Sequence, residues 1–256
     1  MSKKRRRQAK RIVALTKPEL ATIDNCVGQF KEDIHLFKNA AEGVVLACMN
    51  EPKLQKFIHF IKHRLKDPKH LRAKLRKKAL EDKKDGRKPT INEANLFREI
   101  TDLAGVRILH LYTDEIAEMN LRILTILKEQ KYTVVKGPVA NIWDHEADQY
   151  FAKLGFETVL RDTMYTSVHY EIELNTVTGV RCELQLRTLA DEVWGEVSHT
   201  MDYPNPTGSV ACKEQLKVLA RVTSGRTRLV DSIFRSQEEF EKQRAARRKL
   251  RKKFGT

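Results

Sequence analysis

The chain has 256 residues, with 49 Lys and Arg against 34 Asp and Glu and a formal charge of +15. That length suits one large domain or two small ones, and 41% hydrophobic with 32% charged residues excludes collagen-like and low-complexity chains. No apolar run approaches the roughly eighteen residues of a membrane span, so no membrane-spanning segment is expected. The apolar stretch Ile12 to Leu15 that follows the basic start is too short for a secretory signal.

Cys26, Cys48, Cys182 and Cys212 lie far apart with no Cys-x-x-Cys pair. That pattern speaks against a zinc site or a disulfide framework and for a reducing cytoplasm. The charge is concentrated at the two ends. Residues 3–11 carry seven bases and no acid, and residues 242–253 carry eight bases and no acid. Without those fifteen, 34 bases face 34 acids, so the body is formally neutral. Such ends attract nucleic acid, nucleotides or anionic surfaces, or are simply solvated tails.

In chain order, Leu20, Ile23, Val27, Phe30, Ile34 and Phe37 recur at helical spacing and predict a helix over 17–48. Leu54, Phe57, Ile58, Ile61 and Leu65 predict a second over 54–80, with Pro52 suited to its first turn. Asp85-Gly86, Pro89 and dense charge mark 81–95 as a mobile linker. The run 106–111 reads as a strand, 113–130 as a helix with Thr113 as N-cap, and 132–135 as a strand. An irregular stretch over 136–164 contains one short helix near 144–154.

From 166 to 174 the residues alternate. Val168, Tyr170, Ile172 and Leu174 face one way, and Ser167, His169, Glu171 and Glu173 the other. A hairpin turn at 175–179 leads to a strand over 180–187, in which Glu183, Gln185 and Arg187 share the polar face. A helix from Thr188 to about Tyr203 and a last one from 209 to about 250 complete the chain. These elements predict an α+β fold with a mixed sheet covered by helices on one face, and the open face would carry the chemistry.

Candidate residues fall on that face. Glu183, Gln185 and Arg187 form a row of different polar functions, as an exposed antiparallel strand also would. Asp102 precedes the strand opened by Ala104-Gly105-Val106-Arg107. A carboxylate beside a glycine suits a magnesium–nucleotide site, although Asp at a strand start is commonly a cap. Arg64, Lys66 and Lys74, read as lying on a lysine-rich helix, offer a cationic clamp for phosphate or a base, or else a solvated face. Tyr165 can stack on a nucleobase at the lip of the sheet or be buried.

In their order and spacing these residues resemble the synthetase domain of the RelA/SpoT family of alarmone synthetases. Arg64-x-Lys66-x-Pro68 with Lys74 is similar to the family's Arg-x-Lys-x-Pro segment, and Asp102-Leu103-Ala104-Gly105-Val106-Arg107 to its Asp-x-x-Gly-x-Arg strand. Tyr165 to His169 is similar to its Tyr-Arg-Ser-x-His loop, and Glu183 to Thr188 to its Glu-x-Gln-x-Arg-Thr strand. Trp194, His199 and Tyr203 follow at the family's spacing. The resemblance covers 54–204. It implies a nucleotidyltransferase-like sheet with N- and C-terminal helical extensions: a basic tail over 1–16, a catalytic domain over 17–204, and a C-terminal helix with a basic tail over 205–256.

The resemblance also implies roles. Arg64 and Arg107 would sandwich the adenine of ATP, while Lys66 and Lys74 hold its phosphates. Asp102 and Glu183 would bind Mg2+, with Glu183 as general base. Tyr165, His169 and Gln185 would hold a GDP or GTP acceptor. Glu192, where the family usually has Asn or an acid, would read guanine.

Several positions depart from the family pattern. The loop glycine is Met164 and the arginine of the tyrosine loop is Thr166. The basic acceptor loop is replaced by 136–164, which includes Asp144, Glu146 and Asp148. His70 replaces a serine and Ser198 an acid. No His-Asp dipeptide of the family's hydrolase domain occurs, which predicts a synthesis-only protein. Three readings follow: an alarmone synthetase acting on GDP or GTP, a toxin-like relative that pyrophosphorylates the 3′ end of tRNA, and a catalytically silent nucleotide- or RNA-binding regulator. The second would use the basic ends to hold tRNA and would bring a neutralising protein partner.

Overall fold

The computed structural model describes residues 14–174, 179–202 and 206–254. The basic segment 3–11, the turn residues 175–178 and Tyr203 therefore lie outside the described residues. Helix α1 (Lys17–Glu32) opens on a reciprocal cap. The Thr16 hydroxyl accepts from the Glu19 N–H, and the Glu19 carboxylate accepts from the Thr16 N–H.

The single helix expected over 17–48 is two, because the chain breaks at Asp33 before α2 (Ile34–Met49). In an unbroken helix Phe30 and Phe37 would stand about 10 Å apart along the axis. The break brings their rings edge-on at 5.4 Å in the core.

The expected helix over 54–80 is corrected more deeply. It divides into α3 (Pro52–Gln55), strand β1 (Phe60–Leu65) and α4 (Pro68–Lys84). Residues 57, 58, 61 and 65 fit a helical stripe, yet 60–65 pairs antiparallel with β2 (Ala104–His110), and the ladder overrides the local pattern. Pro68 disfavours helix at Asp67. Asp67 instead caps α4 by accepting from the N–H groups of Lys69 and His70. The linker expected from 81 is in fact the last turn of α4 up to Lys84.

After α5 (Leu96–Glu99) and β2, Thr113 begins a 3-10 turn (Thr113–Glu115) rather than capping the helix α6 (Ile116–Glu129). Strand β3 (Thr133–Ile142) runs well into the stretch expected to be irregular, and β4 (Glu157–Leu160) follows α7 (His145–Lys153). Gly137-Pro138 lies within β3. In the fold it sits where the β3 register shifts against β5 (Ser167–Glu173), so the strand resumes beyond it. Gly137 has φ +101°, and a Cβ there would collide with the carbonyl of His169. Strand β6 (Arg181–Thr188), α8 (Leu189–Asp202) and α9 (Val210–Phe254) complete the order.

The six strands form one mixed sheet in the order β1-β2-β6-β5-β3-β4, with β2–β6 and β3–β4 parallel. Val106, Ile108, Val168, Tyr170, Ile172, Leu184 and Leu186 are buried on one face, in one core with Phe37 and Val44 of α2 and Met119 and Ile123 of α6. The Tyr170 hydroxyl, deep in that core, donates to Asn120 Oδ1 at 2.8 Å.

The opposite face is open except where α8 crosses β2 and β6, and α9 packs on α8. Contacts that fasten α9 to the body include the stack of Phe234 on Tyr112 at 4.1 Å and the pairs of Arg228 with Asp144 at 2.8 Å and Arg235 with Asp114 at 3.0 Å. Every residue from 235 to 252 is exposed, so the basic end of α9 stands clear of the domain. Among the described residues, no helix is long and apolar enough to cross a membrane.

Candidate active site

Strand register builds the site. Lys62 pairs with Arg107, Arg107 with Gln185, and Gln185 with His169, which makes one polar row across four strands. The next row runs Arg64, Gly105, Glu183, Glu171. Register partners project to the same face, so the alternation read from β5 and β6 extends to β1. Arg64 therefore stands on a strand and Lys66 in the turn after it, and only Lys74 lies on a helix. The Arg64 side chain lies over Gly105, where a Cβ would come within 3.9 Å of its Cγ and Nε. Its guanidinium makes no hydrogen bond or ion pair among the described residues.

At one end of these rows Asp102 is gripped by two ammonium groups. Lys66 Nζ donates to Oδ2 at 2.6 Å and Lys74 Nζ to Oδ1 at 2.8 Å. Burial pushes the Asp102 carboxyl up, but the charge of Lys74 and the hydrogen bond from Lys66 outweigh it and hold the group ionised. Glu183 is held similarly. His169 Nδ1 lies 2.8 Å from its Oε1, and Gln185 Nε2 donates to Oε2 at 2.7 Å. Burial again opposes ionisation, and the His169 hydrogen bond and charge reverse the balance. The charge of Asp102 acts on Glu183 as well, so the two carboxylates share one electrostatic environment. The Tyr165 hydroxyl, 3.1 Å from His169 Nε2, completes a chain Tyr165–His169–Glu183.

A second cluster lies where α8 meets the sheet. Glu192 Oε1 accepts from Lys62 Nζ and Arg107 Nη1, both at 2.7 Å. Its Oε2 accepts from Arg107 Nη1 at 2.8 Å and Arg187 Nη1 at 2.9 Å. Burial raises its pKa, and the hydrogen bonds from Lys62 and Arg107 more than reverse that, holding it down at about 2. Both oxygens of this carboxylate are engaged by cationic groups, and Arg107 Nη1 is shared with Glu196 Oε1 at 3.0 Å. Arg187, 4% exposed, lies with its guanidinium 4.6 Å from the centre of the Tyr165 ring.

Between these clusters opens a cleft of about 560 Å³, lined by Lys62, Arg64, Arg107, Tyr165, Gln185 and Arg187 on the sheet side and by Trp194, Gly195, Glu196 and His199 on the α8 side. Of the residues singled out in the sequence, Arg64, Arg107, Tyr165 and Gln185 line this cleft. Lys66, Lys74 and Asp102 form one polar cluster ahead of β2, and His169 and Glu183 another on β5 and β6. Sequence reasoning missed Lys62 and Glu196. Lys62 would have been visible as the polar-face neighbour of Arg64 had 60–65 been read as a strand.

The sequence matches the model for the region found in RelA / SpoT proteins over residues 63–208, more than half of the chain. Among curated proteins, it is 27% identical over 150 residues to the GTP pyrophosphokinase YjbM of Bacillus subtilis (strain 168). The matched part is 57% of this chain and 61% of that protein, so the chain spans about three fifths of the relative's length. The small alarmone synthetase 1 from Bacillus subtilis bound to its product pppGpp is similar in fold, with a TM-score of 0.57 at 20% identity, covering 82% of this chain and 99% of the other. The same enzyme bound to AMPCPP gives 0.56 at 20% identity, covering 83% and 99%. The fold is thus that of small alarmone synthetases, and the chain belongs to the RelA/SpoT family.

Proposed function

We propose that the protein is a GTP-diphosphokinase-type enzyme that transfers the pyrophosphoryl group of ATP to the 3′-hydroxyl of GDP or GTP, releasing AMP and a (p)ppGpp-type alarmone. The observation that carries this reading is the pair of ionised carboxylates, Asp102 and Glu183, beside the cleft that holds Arg64, Arg107 and Tyr165. The ligands seen in the similar structures, pppGpp and AMPCPP, belong to the same chemistry.

The acceptor 3′-oxygen attacks the β-phosphorus of ATP, the bond from that phosphorus to the α–β bridging oxygen breaks, and AMP leaves with that oxygen. Glu183 Oε1 takes the hydroxyl proton, and His169 beside it stabilises the carboxylate beforehand. Arg64 and Arg107 hold the donor base from the sheet, and Lys66 and Lys74 bring positive charge to its phosphates. Tyr165 stacks on the acceptor base, and His169 and Gln185 fix it from the neighbouring strands.

Asp102 and Glu183 suit Mg2+, which takes oxygen ligands from one or two carboxylates and completes its shell with substrate phosphates and water. When bound, Mg2+ supplies charge neutralisation at the transferring phosphoryl groups. The chain's residues 17–204 would form this catalytic unit, with 1–16 and 205–256 as basic extensions, in the cytoplasm, where the free thiols Cys26, Cys48 and Cys182 stay reduced in the core.

A second acceptor class, the 3′ end of tRNA, is favoured by one observation. The basic end of α9 is exposed from 235 to 252 and carries no acid after Glu241. A neutralising protein partner would accompany that activity. Labelled ATP offered with GDP, GTP and bulk tRNA in parallel tests the assignment. Label transfer to GDP or GTP is expected, and its absence with every acceptor would overturn the enzyme reading.

A further inference from the structure

Glu192 holds two of the arginines that line the cleft. Its carboxylate binds Arg107, placed on the donor side, and Arg187, which lies against the ring of Tyr165 on the acceptor side. The chain Arg107–Glu192–Arg187–Tyr165 is continuous, and two of its members, Glu192 and Arg187, are buried. Hydrogen bonds to a guanidinium lie in its plane, so the shared Glu192 carboxylate ties the tilt of Arg107 to that of Arg187 while their faces stay free to stack.

Arg187 has little freedom of its own. The backbone of Gly195 closes on it, such that a Cβ there would stand 2.5 Å from Arg187 Nη1, and its buried Nε has no partner among the described residues. A buried ionic chain of this kind has few alternative arrangements, and ordering one end orders the other.

We propose that Glu192 is a positioning residue that couples the donor and acceptor sites, acting through Arg107 on one nucleotide and through Arg187 and Tyr165 on the other. The inference rests on the pyrophosphotransfer reading and extends it, and it replaces a guanine-reading role for Glu192. The nucleotide that binds first sets the tilt of both guanidinium groups, so the second binds more tightly, and the enhancement is equal in either order.

The test uses the full chain and calorimetric titration of α,β-methylene ATP and GDP, each alone and in the presence of the other. In the unmodified protein each nucleotide is expected to tighten the other about fivefold or more. Glu192→Gln is expected to weaken both about tenfold and to abolish the mutual enhancement. Arg187→Lys keeps a charge near Glu192 but loses the flat contact with Tyr165. It should leave the ATP analogue within about twofold, weaken GDP and remove the coupling, and it decides the question if the Gln variant does not fold. Independent binding in the unmodified protein overturns the inference while leaving pyrophosphotransfer standing. So does a Gln variant that keeps the mutual enhancement. If the unmodified protein binds neither nucleotide, both readings fall together.

Discussion

Lys66 Nζ lies 2.6 Å from Asp102 Oδ2, and the two residues are brought together by the β1–β2 pairing although 36 positions separate them. With Lys74 on the other oxygen, the carboxylate is held ionised where a phosphate-bound cation would meet it. Asp102→Asn is expected to keep the fold, since the group sits on the polar side of the sheet, and to lower transfer about a thousandfold. Glu183→Gln should do the same. Turnover within tenfold of the unmodified protein in either variant, with unchanged circular dichroism, would remove that residue from the metal pair.

Tyr165 is tied at its ring by Arg187 and at its hydroxyl by His169. Stacking belongs to the ring, so Tyr165→Phe should change the acceptor KM by no more than a few-fold. Tyr165→Ala should raise it by one to two orders of magnitude, the equivalent of about 1–3 kcal/mol of base stacking. Steady-state kinetics with GDP varied at saturating ATP separates the two, and equal effects would place the acceptor base elsewhere.

Gly195 faces Arg187 across a gap too small for a methyl group. Gly195→Ala improves helix propensity in α8, so a purely local account predicts a small gain in stability. The close approach predicts instead that Arg187 is pushed off Tyr165 and Glu192, with the acceptor KM raised about tenfold. A crystal structure of the variant, or its KM alone, decides between the two.

The Glu192 carboxyl is held down at about 2 against an ordinary value of 4.5. A depressed carboxyl contributes stability that is complete above the ordinary value and is lost as pH falls towards the folded one. The contribution is on the order of 3 kcal/mol. The melting temperature of the unmodified protein should therefore exceed that of Glu192→Gln by several degrees at pH 7, and the gap should close between about pH 4.5 and 2. A pH-independent gap would mean that the stabilisation does not come from the charge.

Removal of residues 242–256 takes away only exposed parts of α9 among the residues whose exposure is described, and it leaves the anchoring by Arg228, Phe234 and Arg235 in place. Transfer to GDP or GTP is expected to stay within a few-fold. Nucleic-acid binding should weaken, and its dependence on salt should flatten by about 0.9 of a log–log unit for each phosphate that the tail no longer neutralises. A large drop in nucleotide transfer at unchanged melting temperature would make the tail part of the active site.

The sequence by itself determined the α+β class, the polar faces of β5 and β6, and the candidate residues Asp102, Tyr165, His169, Glu183 and Gln185. These lie on or beside strands whose period-two alternation survives any context that buries one face. It also located the cationic end of α9, because a run of like charge cannot be buried. Tertiary structure decided the rest. Residues 60–65 carry a helical apolar spacing and form a strand because β2 offers a ladder of hydrogen bonds that no local signal announces. That pairing puts Lys62 and Arg64 beside Arg107, and Lys66 beside Asp102. The partners of Glu192 were hidden in the sequence for the same reason. At one position in a helix a glutamate reads as a free carboxylate, and only the packing of α8 across the sheet commits it to Lys62, Arg107 and Arg187. Local periodicity depends on a residue's own neighbours in sequence, whereas partners across strands are set by which surfaces bury each other, and that is settled only when the whole chain has folded.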